Sequence, residues 1–205
     1  MDNFLLKEYG DNLNKAIGSV DQIKVELLVK ELLKKIEGNG EVHLLGNGGS
    51  AANAHHIVGD YSKTFALLNK NLRINCLSDN GCYITAVSND LDYSSVYELL
   101  INTRIQKNDL IIFLSGSGNS MNLVKAARKA KKFNIKTASI TGYSGGALNC
   151  IVNLPIHFDL YDMEMAEDAQ LILFHYIKQI LIKKLNTNFS SSSKEKKRLS
   201  DDLIA

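Results

Sequence analysis

An alternation constrains this chain more than any other feature. Five short apolar, β-branched stretches recur at Val42–Leu45, Ile74–Leu77, Leu110–Leu114, Thr137–Ile140 and Ile151–Phe158, each bounded by a turn signal. Helix-like segments fall between them, at Ser50–Ser62, at Tyr83–Val87 with Tyr93–Asn102, and at Ser120–Phe133. Strands alternating with helices predict βαβ units, and so an α/β fold around a parallel sheet. The first 37 residues precede any strand and read as helix, with Leu13, Ile17, Val20, Ile23, Leu27, Leu28 and Ile36 at helical spacings. Met165–Leu185 is a further long helix whose apolar residues, Leu171, Ile172, Phe174, Ile177, Ile180 and Leu181, occupy most of its faces. That much apolar surface predicts burial against a partner chain as well as against the sheet.

Composition removes several classes. With 45% hydrophobic residues, 22% charged and one Pro, the chain is neither disordered nor fibrous. No apolar run approaches the ~18 residues of a membrane span. The opening MDNFLLKEYGDNL has acids in its first turns and lacks the layout of a signal peptide. Net charge is +2, far from the basic footprint of a dedicated nucleic-acid binder. Cys76, Cys82 and Cys150 are odd in number and form no CxxC pair, which predicts a reducing, cytoplasmic setting. One domain over residues 1–186 is expected, followed by a mobile charged tail over 187–205, where the sequence turns Ser-rich and then charged.

Two glycine loops carry the chemistry. Gly46-Asn47-Gly48-Gly49-Ser50 and Gly116-Ser117-Gly118-Asn119-Ser120 share Gly-x-Gly-x-Ser, each following a predicted strand and opening into a helix. Glycines allow close approach, and free N–H groups at a helix start attract anions. Ser115, Ser117 and Ser120 add three hydroxyls, a match for three phosphate oxygens. Neither loop holds the Lys of a nucleoside-triphosphate P-loop. Gly46 to Ala51 also satisfies GxGxxA, but no acid closes a second strand ~20 residues on, as a dinucleotide site requires. Either loop alone could be an ordinary strand-to-helix turn; two at strand C-terminal ends point to a ligand.

Titratable residues cluster nearby. His56 and Asp60 sit one turn apart on a shared helix face, as a metal pair, an acid/base pair or a plain surface pair. Glu167 and His175 lie on the last helix, ~12 Å apart along its axis, too far for one ion to bridge from a straight helix. Either they serve different copies of a site or the helix bends. Ser88-Asn89-Asp90 reads as a loop, with Asn89 or Asp90 as a helix cap or a hydrogen-bonding group for sugar hydroxyls.

In order along the chain, GNGGSAANAHHIVGDY, SND, SGSGNS, TGYSGG and EDAQLILFH resemble the sugar isomerase (SIS) domain. Within that family, residues 1–186 resemble the phosphoheptose isomerases, which convert sedoheptulose 7-phosphate to D-glycero-D-manno-heptose 7-phosphate through an enediol. The resemblance implies a three-layer sandwich with a five-stranded parallel sheet, a homotetramer with sites between subunits, and zinc as cofactor. It implies that Asn47, Gly48, Gly49, Ser50, Asn89 and Asp90 contact substrate, and that Ser115, Gly116, Ser117 and Ser120 hold its phosphate. It further implies that His56, Asp60, Glu167 and His175 ligate the metal, with Asp60 as the catalytic base and His175 as its acid/base partner. Glu167, at a position where the family contacts metal and substrate, is a catalytic candidate that could exchange the base role with Asp60. Three positions depart from the family pattern: Asp60 replaces a Glu, Glu167 a Gln and Gly116 a Thr. Some relatives are non-catalytic proteins that bind the replication initiator, and others could sense sugar phosphates. His175, which the initiator binders lack, separates the enzyme reading from those two.

Overall fold

The computed structural model describes residues 5–187. Its elements are α1 (Leu6–Ser19), α2 (Gln22–Ile36), β1 (Val42–Leu45), α3 (Gly48–Leu67), β2 (Ile74–Cys76), α4 (Gly81–Asp90), α5 (Val96–Arg104) and β3 (Leu110–Ser115). They continue as α6 (Met121–Lys132), β4 (Lys136–Thr141), α7 (Gly146–Ile151), β5 (Leu154–His157) and α8 (Met163–Thr187). All five strands pair in parallel, in the order β2-β1-β3-β4-β5. The five-stranded parallel α/β fold is therefore as expected.

Strand alternation splits the core into two layers. Val42, Leu44, Leu110, Ile112 and Leu114 face the layer formed with α1, α2, α3 and α8. Leu45, Ile111 and Phe113 face the other, with α5, α6 and α7. Every residue of β3 is buried, because a central parallel strand has helices over both faces. Each fully buried Leu or Ile there contributes about 1.5–3 kcal/mol.

Several boundaries differ from expectation. The N-terminal helix is two helices: Val20 is extended, and the Asp21 carboxylate caps α2 by accepting from Ile23 N at 3.0 Å and Lys24 N at 3.3 Å. The break changes the helical register, so Ile23 and Leu27 face outward, with Ile23 72% exposed. The segment expected as strand from Ile151 starts at Leu154, because 146–151 form the short helix α7. Asn89 and Asp90 are not in a loop; they end α4, whose cap is Asn80, accepting from Tyr83 N at 3.0 Å. The expected tail falls outside the described residues, except that Thr187 ends α8. Among the described residues, no helix is long and apolar enough to cross a membrane.

The two long helices on one face position the site. From α3 to α8, Asn53 Nδ2 donates to Gln170 Oε1 (3.0 Å) and to the Glu167 carbonyl (2.9 Å). Tyr61 OH donates to the Phe174 carbonyl at 2.8 Å, and Lys178 reaches Asp60. Partners advance together along both helices, so α3 and α8 run in the same direction, side by side. Covered by α3, α2 and the sheet, α8 leaves Met163, Ile172 and Tyr176 as exposed large apolar residues, fewer than its sequence suggests.

Candidate active site

Strand order reverses between β1 and β3: the chain passes from β1 outward to β2, then returns to the other side of β1. Open α/β sheets leave a crevice at such a point, beyond the strands' C-terminal ends. Both glycine loops leave their strands there. They line one cavity of about 340 Å³ with Asn47, Gly48, Gly49, Ser50, Ser115, Gly116, Ser117, Ser120 and, from α8, Met163 and Glu167.

Hydrogen bonds hold each loop in shape. Ser115 Oγ accepts from Gly118 N at 3.0 Å, and Ser117 Oγ accepts from Asn119 N at 3.2 Å. Neither Asn47 nor Ser120 caps its own helix with a side chain, so the first N–H groups of α3 and α6 are not spent on those caps. Asn47 instead forms a reciprocal amide pair with Asn122 at 2.9 Å in both directions, and its Oδ1 accepts from Tyr93 OH at 2.8 Å. Tyr97 OH fixes the Gly46 carbonyl at 2.8 Å. Motif reading did not anticipate Asn122, Tyr93, Tyr97 or Met163, because their partners lie far along the chain.

Glu167 enters this cleft over the start of α3. A Cβ on Gly49 would lie 2.0 Å from Glu167 Oε2, so only glycine leaves the carboxylate room there. Burial pushes the Glu167 carboxyl above its ordinary value, while hydrogen bonds to Ser50 pull the other way. Gly116 is equally crowded, with Met163 Sδ in the space of its missing Cβ.

Further along the α3–α8 pair, His56 Nε2 and His175 Nε2 are 3.1 Å apart, with Asp60 beside them. One donor atom from each of the three lies within 4.8 Å of the others. Two nitrogens on a tetrahedral zinc, at ~2.0–2.1 Å from it, would sit about 3.3 Å apart. Two imidazoles and a carboxylate therefore fit a divalent ion in both spacing and chemistry. Binding would expel the proton that the two rings share. Burial lowers the His175 pKa; Asp60 opposes that shift, while His56 and Lys178 add to it. Asp60 Oδ2 accepts from Lys178 Nζ at 2.5 Å.

Glu167 is not in this group of three. The ~12 Å separation along α8 is kept, with no bend bringing the two residues together, so within one protomer Glu167 and His175 meet different neighbours on α3. Glu167 faces Gly49, and His175 faces His56. Asn89 and Asp90, bonded to each other at 2.9 Å, do not line the cleft. His55, one residue off the His56 face, reaches the Ser78 carbonyl at 3.4 Å.

Fold and cleft together define a class: an open parallel α/β protein with a cleft between two glycine loops at its topological switch point. Comparison with known proteins narrows it. A family model described as SIS domain matches residues 8–142, and the chain belongs to that family. The "Probable phosphoheptose isomerase" of Thermoplasma volcanium is 31% identical over 86% of this chain and 90% of its own. A phosphoheptose isomerase of Helicobacter pylori (strain Shi470) is 29% identical over 86% and 93%. The solved phosphoheptose isomerase of Francisella tularensis superposes with a TM-score of 0.79, covering 85% of this chain and 93% of its own at 21% identity, a likeness of fold.

Proposed function

We propose that this chain is an aldose–ketose isomerase of a sugar phosphate, with sedoheptulose 7-phosphate as substrate and the corresponding aldoheptose 7-phosphate as product. One observation carries the reading. The parallel pairing of α3 and α8 sets a phosphate-type loop cleft holding a carboxylate at one end of the helix pair and a His–Asp–His cluster two turns further along it. The names of the relatives at 31% and 29% identity support the same chemistry.

The roles follow from position. Ser115, Ser117 and Ser120, with the N–H groups at the start of α6, hold the phosphate. Asn47, Gly48, Gly49 and Ser50 face the sugar from the opposite loop. Glu167 is the base that takes the proton from carbon and returns it to the adjacent carbon, because it is the carboxylate inside the cleft, where burial raises its pKa above the ordinary value. Asp60, already engaged by Lys178, serves as a ligand rather than the base. His175 is the group proposed to move the second proton between the sugar oxygens; it stands ~12 Å from Glu167 along α8, so one substrate would meet both where a second copy completes the cleft. Zinc is the proposed ion, held by His56, Asp60 and His175, and would polarise the carbonyl and hydroxyl oxygens of the sugar. Asn89 and Asp90 keep their proposed sugar contact only if a conformational change or a second subunit carries them to a cleft.

The proposed setting is the cytoplasm, consistent with three free cysteines. The proposed assembly is a homotetramer. An apolar hollow of about 260 Å³ between α1, α2 and α8, lined by Ile17, Val20, Phe158, Ile172, Leu173 and Tyr176, supports pairing through this face. Light scattering tests it, and a fully active monomer near 23 kDa would remove the shared-site arrangement. The activity itself is tested by incubating the protein with sedoheptulose 7-phosphate and added zinc while following aldose formation. Turnover is expected; none with this or a related ketose phosphate would move the chain to the non-catalytic, initiator-binding branch.

A further inference from the structure

We infer that Lys178 is a built-in counter-ion of the His56–Asp60–His175 cluster, one that competes with a divalent cation for Asp60 and keeps the site loosely metallated. The inference rests on the metal reading of that cluster. Lys178 Nζ donates to Asp60 Oδ2 at 2.5 Å, and both side chains are mostly covered, 21% and 16% exposed. Partial burial weakens the screening that makes surface pairs nearly worthless, so the ammonium neutralises Asp60 effectively.

The cluster is therefore satisfied without a metal. His56 and His175 hydrogen-bond to each other, and Asp60 bonds Lys178. A divalent ion entering between them must break the imidazole pair. It must also either displace the ammonium or sit one carboxylate away from a like charge. Either course lowers affinity relative to the same three ligands without Lys178. Helix spacing makes the competition intrinsic to the fold: Lys178 lies one turn beyond His175 on the same face of α8, as Asp60 lies one turn beyond His56 on α3. No motif in the sequence marks Lys178. Its role appears only once the two helices are laid in register.

The test is a titration of Co²⁺ into metal-stripped full-length protein, read by the visible absorption of inner-sphere cobalt. Wild type, Lys178→Gln, Lys178→Arg and His56→Ala are compared, each first checked by circular dichroism. Gln removes the charge while keeping an amide donor on a side chain one bond shorter. Lys178→Gln should bind Co²⁺ about tenfold tighter or more, the scale typical of groups behind the ligands. Lys178→Arg should stay near wild type, and His56→Ala should lose the spectrum. Equal or weaker binding by Lys178→Gln would overturn the inference, since a merely orienting lysine predicts that result. Equal tightening by Gln and Arg would also overturn it, pointing to bulk rather than charge, as would binding that survives His56→Ala. The isomerase reading fails separately: a protein that binds Co²⁺ in this pattern yet converts no ketose phosphate would sink that reading alone.

Discussion

At the scale of single residues, cradle and chemistry separate cleanly enough to be mutated apart. Ser117→Ala removes one hydroxyl from the phosphate loop, a charge-assisted bond worth ~1.5–3 kcal/mol. It should raise KM about tenfold or more with little change in kcat. His175→Ala should abolish turnover while inorganic phosphate binds as before, which calorimetry can follow. Gly49 makes a sharper case, because its missing side chain is what admits Glu167. Gly49→Ala should push the flexible carboxylate out of the cleft without unfolding the chain, so kcat falls about 10²–10⁴-fold, as for loss of a general base. A Gly49→Ala enzyme with full kcat and an unchanged melting temperature would remove Glu167 from the proton-transfer step.

At the scale of elements, the pairing of α3 with α8 decides the geometry. Its buried polar seam runs from Ser50, which accepts from Gln170 Nε2 at 3.2 Å, through Asn53 to Tyr61. Asn53→Ala would strand Gln170 Oε1 and remove a second donor from the Glu167 carbonyl, leaving one buried polar atom unpaired at about 1–3 kcal/mol. Urea denaturation should show that loss, together with reduced kcat as the helix register loosens. An unchanged midpoint would mean that apolar packing alone sets the register. Asn53 and Gln170 stand three residues from Ser50 and Glu167, and that helical spacing was the only sequence signal of the seam.

At the scale of the whole molecule, the sheet has a second polar cluster at the opposite end from the cleft. His43, only 3% exposed, bonds Asp109 Oδ2 through Nε2 at 3.2 Å, and Asp109 also accepts from Glu41 N (2.8 Å) and Gln106 N (2.7 Å). Nδ1 of His43 is buried without a partner, which fits a neutral ring whose Nε2–H donates. Burial lowers the His43 pKa below its ordinary 6.5, with the neighbouring Asp109 opposing. The sign follows: below about pH 6.5 the unfolded chain takes up a proton that the folded chain resists. Stability should therefore fall as pH drops from there, by at most ~1.4 kcal/mol per pH unit for one proton. His43→Gln should flatten that part of the curve of melting temperature against pH. An identical slope in both proteins would assign the effect to other groups.

The sequence by itself determined the parallel α/β fold, the two glycine loops and the His56–Asp60 pair, because each depends on contacts within one or two turns of chain. Periodicity, caps and loop glycines are written locally, and helices and strands read them locally. It did not determine the break at Asp21, since Gly18 and one capping carboxylate are a weak signal beside a continuous apolar stripe. Nor did it mark the helical state of Asn89 and Asp90, whose polar side chains suit a loop as well as a helix end. What only the tertiary structure decided is which distant residues share a groove. Laying α8 parallel to α3 sent Glu167 to Gly49, His175 to His56 and Lys178 to Asp60. That alignment comes from packing two long helices over one face of a sheet, an energy spread over dozens of buried atoms that no short stretch of sequence contains.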